Sequence, residues 1–329
     1  MFIFLICTER SGSNFLTSLA GGFPDVSAPP PTHLFRLFAN TRAQYGDLQR
    51  EENWKTLVDD IVENHAAKLG TWHTSIDRTE LLRKVTRRDA FELLRLIYHK
   101  EALADGASRS FVKENQTHTF AEALADFFPD SQFVMMVRDP RDVASSWVRT
   151  DSIPGGVQKA IDTWHRDQTE ALPVFRKLDS AGRAHFLRYE DLIAEPQTHL
   201  KALARFMGIA YDDSVLEYYR DPRTRANAER IEAWQNTGRP IMRDNAGGYR
   251  RVLSDTDVRY IELRCARLMQ RFGYPTESAI DTDAIDRAEL ARLEGQLTPG
   301  RYQIEDDREM EIRKRRLDAI HRVLARRLT

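Results

Sequence analysis

Only two of the 329 residues are cysteine, Cys7 and Cys265. A disulfide framework is therefore excluded, and two thiols in apolar segments read as reduced and buried, as expected in a reducing compartment. An excess of one charge is also missing: 49 Lys and Arg stand against 50 Asp and Glu, a net charge of −1. No global basic field points to nucleic acid, so any anion site has to be local. No stretch approaches the length that crosses a bilayer. The apolar N-terminal run is short, with no basic residues before it and no small-residue cleavage pattern after it. A secretory signal is not expected, and a cytoplasmic protein is. Internal repeats, low-complexity tracts and metal-spaced clusters of His, Cys, Asp and Glu are likewise missing, so no metal is expected.

What is present is a well-charged chain with enough apolar residues, 41%, for a core. Its organising stretch is the first. Phe2-Ile3-Phe4-Leu5-Ile6-Cys7 has the length and character of a strand buried on both faces. It breaks into Thr8-Glu9-Arg10-Ser11-Gly12-Ser13-Asn14, and a helix restarts at Phe15. A strand that feeds a helix through a small-residue loop makes an anion site, because free backbone N–H groups and the helix dipole converge there. Arg10 adds a fixed charge, and Ser11 and Ser13 add hydroxyls. The G-x-x-x-x-G-K-[ST] pattern of ATP-type loops is absent, which disfavours a Walker-type triphosphatase.

Further strands are predicted at Val26–Ala28, Ser110–Lys113, Gln132–Val137 and His185–Tyr189, each followed by a helical pattern. This alternation predicts a parallel sheet flanked by helices. Pro29-Pro30-Pro31 forces an extended path into His33, which then faces the crevice at the strand's C-terminal end or simply caps the next helix. Residues 34–108 read as a helical cover over the crevice. The loop from Asn236 to Arg251 is polar and glycine-rich. Beyond Tyr274-Pro275 the composition becomes charge-rich, with two amphipathic patterns separated by Thr298-Pro299-Gly300. This extension is expected either as a solvated tail or as an element docked on the body or on a second subunit, in which case a homodimer forms through it.

Arg138 ends the fourth strand, and Ser146 lies two turns into the next helix. A guanidinium and a hydroxyl so placed can hold a phosphate, although Arg138 could equally pair with Asp139 or Asp142 on the surface. The full string Arg138-Asp139-Pro140-Arg141-Asp142-Val143 through Ser146 resembles the 3′-phosphate motif of the sulfotransferases that use 3′-phosphoadenosine 5′-phosphosulfate (PAPS). Arg10-Ser11-Gly12-Ser13 resembles the 5′-phosphosulfate loop of the same family. Tyr189-Glu190-Asp191 is similar to its adenine-contacting segment, and the basic loop Arg239–Arg251 to its late phosphate-closing loop. The resemblance runs from Met1 to about Tyr274. It implies a P-loop-like α/β sulfotransferase domain over 1–278, with 279–329 as a helical extension outside it.

By that resemblance, Arg10, Ser11, Gly12, Ser13, Asn14, Phe15, Arg138, Ser146, Tyr189, Arg243 and Arg250 hold PAPS. Arg10 and Lys113 meet the transferring group. The implied reaction moves a sulfuryl group to a hydroxyl or amine of a small-molecule or glycan acceptor and releases adenosine 3′,5′-bisphosphate. Cytosolic members carry a catalytic His where this chain has Asn115, whose amide cannot accept a proton usefully. The general base is therefore sought elsewhere: His33 first, then Glu114, His118 and His73. Glu114 follows Lys113 on an alternating strand and is expected to face away. Two other readings are compatible with these residues, a nucleotide-dependent kinase-like phosphotransferase and a nucleotide-binding protein without activity.

Overall fold

The computed structural model describes residues 1–328. Five strands, β1 (Phe2–Cys7), β2 (Val26–Ser27), β3 (Arg109–Lys113), β4 (Gln132–Val137) and β5 (Ala184–Arg188), form one parallel sheet in the order β2-β3-β1-β4-β5. β1 is central, with Phe4 opposite Val112 of β3 on one side and Phe133 of β4 on the other. All six of its residues are buried, as its unbroken apolar run requires. Their alternation divides two cores. Phe2, Phe4 and Ile6 face a large aromatic cluster, and Ile3, Leu5 and Cys7 face a smaller aliphatic one.

The large cluster is roofed by α2 (Leu34–Thr41), α3 (Glu51–Ala66), α4 (Arg78–Lys84) and α5 (Ala90–Ala104). Phe35, the first buried aromatic of α2, meets Phe2, Phe4, Phe91 and Tyr98 with ring centroids 5.3–5.9 Å apart. α6 (Ala121–Phe127) leads into β4, and α7 (Pro140–Val148) and α8 (Gly156–Ser180) follow it. α7 begins with Pro140 in its first turn and Asp139 capping the N–H of Arg141. After β5 come α9 (Tyr189–Ala194), α10 (Pro196–Met207), α11 (Pro222–Arg230) and α12 (Asp255–Phe272). Gly208 closes α10 with φ +68°, and Ser254 opens α12 with a capping box. The loop after Asn236 is a chain of short 3₁₀ turns.

The extension forms α13 (Arg287–Glu294) and α14 (Asp307–Leu324). It docks on the body of its own chain. Arg326, just past α14, grips the buried carboxylate of Asp60 on α3 with two bonds of 2.8 and 2.9 Å. Arg322 pairs with Glu63 one turn away. Val323 and Ala319 are buried in the seam.

The loop between β1 and α1 (Ser13–Ala20) turns on Gly12, whose φ of +87° lies in the left-handed region. A Cβ at Gly12 would sit 2.5 Å from the ring of Tyr189. Both facts forbid a side chain there. Gly12→Ala is expected to cost about 1–3 kcal/mol in chemical denaturation. Tyr189→Ala in the same background should recover the steric part and leave the backbone part, read as a coupling energy in a double-mutant cycle.

Candidate functional site

Three neighbouring strands, β3, β1 and β4, end side by side, and each delivers a cation at its C-terminal edge: Lys113, Arg10 and Arg138. Adjacent parallel strands lie about 4.8 Å apart, so the topology alone gathers these charges. They line one cavity of about 180 Å³ together with Gly12, Ser13, Asn14, Phe15, Ser146 and Tyr189. The two loops picked out by the sequence are in direct contact. Arg10 Nε donates to Ser146 Oγ at 3.1 Å, and Arg138 Nη1 donates to the Arg10 carbonyl at 3.2 Å. Arg10 itself has a φ of +65°. That conformation is uncommon for a residue with a Cβ and is held here by the surrounding contacts. Burial beside Arg138 and Arg149 pulls its guanidinium down to about 10, so it stays charged at neutral pH.

Arg138 is almost wholly buried and is fixed from several sides. Its guanidinium lies 4.4 Å from the centroid of the Tyr189 ring, and its Nη2 donates to the Asn245 carbonyl at 2.9 Å. Trp164 Nε1 donates to its carbonyl at 3.0 Å. Its Nε is buried without a partner among the described residues. The neighbouring acids are engaged elsewhere: Asp139 with Arg141 at 2.6 Å, and Asp142 with the N–H groups of Gly247 and Tyr249 at 2.7 and 3.0 Å. Arg138 is therefore free of the surface ion pairs that its sequence neighbours suggested. The Ser11 hydroxyl and the Asn14 carbonyl oxygen are also buried and unpartnered among the described residues.

His33 lines the same cavity at the head of α2, with φ +59°. Burial and the nearby charges of Lys113, Arg316 and Arg36 hold its imidazole well below the usual histidine range, so it is neutral at pH 7. Its Nδ1 lies 3.2 Å from Glu114 Oε2. As expected, Glu114 does not line the cavity with Lys113, yet it is not removed from the site. β3 ends at Lys113, so strand alternation does not extend to Glu114. Its carboxyl instead turns inward, accepts the Phe35 N–H at 3.3 Å and is fully buried. Burial pushes it up to about 7, against the opposing pull of Arg36, Lys113 and Arg316. Lys113 Nζ donates to Asn115 Oδ1 at 2.8 Å, and burial lowers its ammonium.

The other proposed bases lie outside the cavity lining: His118 faces Glu170 at 3.2 Å, and His73 faces Asp105 at 2.6 Å. His73, Glu101 and Asp105 have ligand atoms within 4.8 Å of one another. Arg223 already bonds both carboxylates there, at 3.0 and 3.1 Å. Arg243 and Arg250, chosen from the late loop, do not line the cavity either. Arg250 pairs with Glu277 at 3.0 Å, and Arg243 is exposed. The late-loop residues that do enter are Pro240, Met242 and Asn245, and Asn245 Nδ2 donates to Tyr189 Oη at 2.7 Å. Arg149, one turn past Ser146, supplies the further cation. Its i+3 spacing from Ser146 on the same helix face was the available signal.

The cover also differs from the expected one. Of residues 34–108 only Leu69 lines the cavity, while eight residues between Ile231 and Asn245 do so, along with Arg313 of α14. The 231–245 segment lacks periodicity, so its role could not be read from pattern.

Comparison with known proteins agrees with this geometry. Residues 3–213 match the profile of the sulfotransferase family. Protein-tyrosine sulfotransferase A of Caenorhabditis elegans is 21% identical over 229 residues, 66% of this chain and 52% of that protein. An omega-hydroxy-beta-dihydromenaquinone-9 sulfotransferase of Mycobacterium bovis is 26% identical over 138 residues, 38% of this chain and 34% of that protein. The chain thus spans about half or less of the length of these relatives. The sulfotransferase domain of the Synechococcus olefin synthase superposes with a TM-score of 0.56 at 19% identity, covering 83% of this chain and 94% of that one. A five-stranded parallel sheet in a chain matched over most of its length by this profile makes the chain a member of the sulfotransferase family.

Proposed function

We propose that the protein transfers a sulfuryl group from PAPS to an acceptor hydroxyl. The observation that carries this reading is the contact of the two anion loops, Arg10 to Ser146 and Arg138 to the Arg10 carbonyl, within one cavity. Two phosphate-type groups of one molecule would be gripped there at once. Ser11, Ser13, Gly12 and the first N–H groups of α1 would cradle the 5′-phosphosulfate, with Arg10 and Lys113 beside it. Arg138, Ser146 and Arg149 would hold the 3′-phosphate. Tyr189, Phe15 and Asn14 would border the adenine. The relatives' names specify a protein tyrosine and an omega-hydroxy-beta-dihydromenaquinone, both hydroxyl-bearing, which favours a hydroxyl here as well.

In this reading the acceptor oxygen attacks sulfur as its proton passes to the free ring nitrogen of His33. The bond from sulfur to the bridging phosphate oxygen breaks, and adenosine 3′,5′-bisphosphate leaves. By analogy with phosphoryl transfer, the protein mostly positions groups and meets the charge on the departing oxygen. Arg10 and Lys113 are the cations for that charge. Glu114 acts through His33. When ionised it accepts the Nδ1 proton, which leaves the other ring nitrogen bare and basic. When protonated it donates to Nδ1 and fixes the opposite tautomer. Glu114 is thus a positioning residue, and its ionisation near neutrality decides whether the base is ready.

Three experiments test these roles. Calorimetric titration with adenosine 3′,5′-bisphosphate should show a single site, weakened about 10- to 100-fold by Arg138→Ala or Arg10→Ala, the cost of one or two charge-assisted hydrogen bonds. Unchanged affinity in both variants, or a preference for ATP with magnesium, would remove the donor assignment. For Glu114, kcat/KM with labelled PAPS should rise with pH to a plateau above about 7. Glu114→Gln should flatten that limb and lower the plateau about 10-fold or more. The same raised carboxyl makes the native state bind the extra proton, so wild-type stability falls as pH rises from the ordinary carboxylate range to about 7. The Gln variant should lose that decline, with a Tm advantage over wild type that grows between pH 5 and pH 8.

A further inference from the structure

His33 lines two cavities. One is the donor cavity, and the other, of about 200 Å³, lies between α2 and α14. The second is walled by Arg36, Asn40, Asn64, Gln116 and Arg316, with no carboxylate among its lining residues. Arg36 makes no hydrogen bond or ion pair among the described residues. Arg316 donates one bond, from Nη2 to the Thr32 carbonyl at 2.8 Å, and burial pulls its guanidinium down to about 10, so it too remains charged. The opposing charge nearby is Glu114, which is buried against His33, does not line this cavity, and is acted on by both Arg36 and Arg316. Two guanidiniums and three amides facing one space, with no acid in its lining, form a surface complementary to an anion.

The position of this space matters as much as its charge. It shares the His33 side chain with the donor cavity, so a group bound there lies beside the proposed base. Its outer wall is α14, which lies beyond the residues matched by the family profile. Arg313 and Arg316 stand one turn apart on α14. The first reaches the donor cavity and the second the new one, so the helix spans both sides of His33. Glu309 on the same helix accepts the Glu232 N–H at 2.8 Å and ties α14 to the 231–245 segment that covers the donor.

We propose that the cavity between α2 and α14 is an acceptor subsite for an anion. A carboxylate or phosphate ester on the acceptor binds Arg36 and Arg316, and this holds a neighbouring hydroxyl against His33. The acceptor class is therefore an anionic hydroxyl compound, such as a sugar acid, a sugar phosphate or a hydroxy acid, and α14 is the element that selects it. The inference rests on the donor reading above for the reaction, and on the second cavity for the substrate.

The test uses the whole chain with its donor site filled by adenosine 3′,5′-bisphosphate. Inorganic phosphate is titrated into that complex as the minimal probe. Saturable binding in the millimolar range is expected, weakened about 10-fold by Arg36→Ala and by Arg316→Ala, while bisphosphate affinity is unchanged in both. Arg36→Ala guards against a folding artefact, because Arg36 makes no hydrogen bond or ion pair among the described residues; its field on Glu114 and His33 acts on every acceptor alike, so the ratio between acceptors is the readout. In turnover with labelled PAPS, glucose 6-phosphate and glucuronate should outperform glucose, and the advantage should vanish in either variant. Absent phosphate binding to the complex, or binding indifferent to both substitutions, overturns the anionic subsite and leaves the donor reading standing. Failure of the bisphosphate itself to bind overturns the donor reading, and the acceptor inference falls with it.

Discussion

The buried guanidinium of Arg138 is the constraint on which the site's geometry depends. It rests on the Tyr189 ring, and that ring lies against Gly12, so the ends of β1, β4 and β5 meet at one stack. A planar cation against an aromatic face has direction as well as attraction, and so it orients what it touches. The acids that could neutralise Arg138 are drawn off by other partners. Asp139 goes to Arg141, and Asp142 goes to the N–H groups of the late loop. The protein thereby keeps a charge at the sheet edge that is buried, held by carbonyls and available to an anion. Such a group is costly in the empty state and valuable once a ligand is present.

The strands that carry the site were the most legible part of the sequence. β1 and β4 are unbroken apolar runs because both faces are covered, and each ends abruptly in polar residues. Arg10, Ser13 and Arg138 could be picked out for this reason, since each stands at or just beyond such an end, whereas Ser146 and Tyr189 were picked out by the resemblance of their segments to the family's motifs. The helical extension was legible from its amphipathic stripes, although its docking on α3 was not. That depends on Asp60 and Glu63 meeting Arg326 and Arg322 across more than two hundred residues.

What escaped reading has a common cause. The contact of Glu114 with His33 was not foreseen because it joins residues 81 apart in sequence. Arg250 and Arg243 were favoured over Arg149 because a basic loop looks the same whether its arginines point in or out. Glu277, which turns Arg250 aside, is distant in sequence and gives no local signal. The 231–245 segment supplies much of the cavity wall as irregular backbone, where neither period 2 nor period 3.6 operates. Sequence pattern reports the elements that bury a face. It is silent about loops whose placement is decided by the elements they lie upon.

The cavity wall begins at Glu9 and is not complete until Arg313. Nearly the whole chain must therefore be synthesised before the pocket closes. A nascent polypeptide can form the β1 loop and the β4 loop early, yet it lacks the last helix that lies across them. Contacts of such sequence separation form late and slowly. Closure of the cavity is consequently tied to α14, and a nascent fragment that stops short of α14 would present cationic loops without that wall.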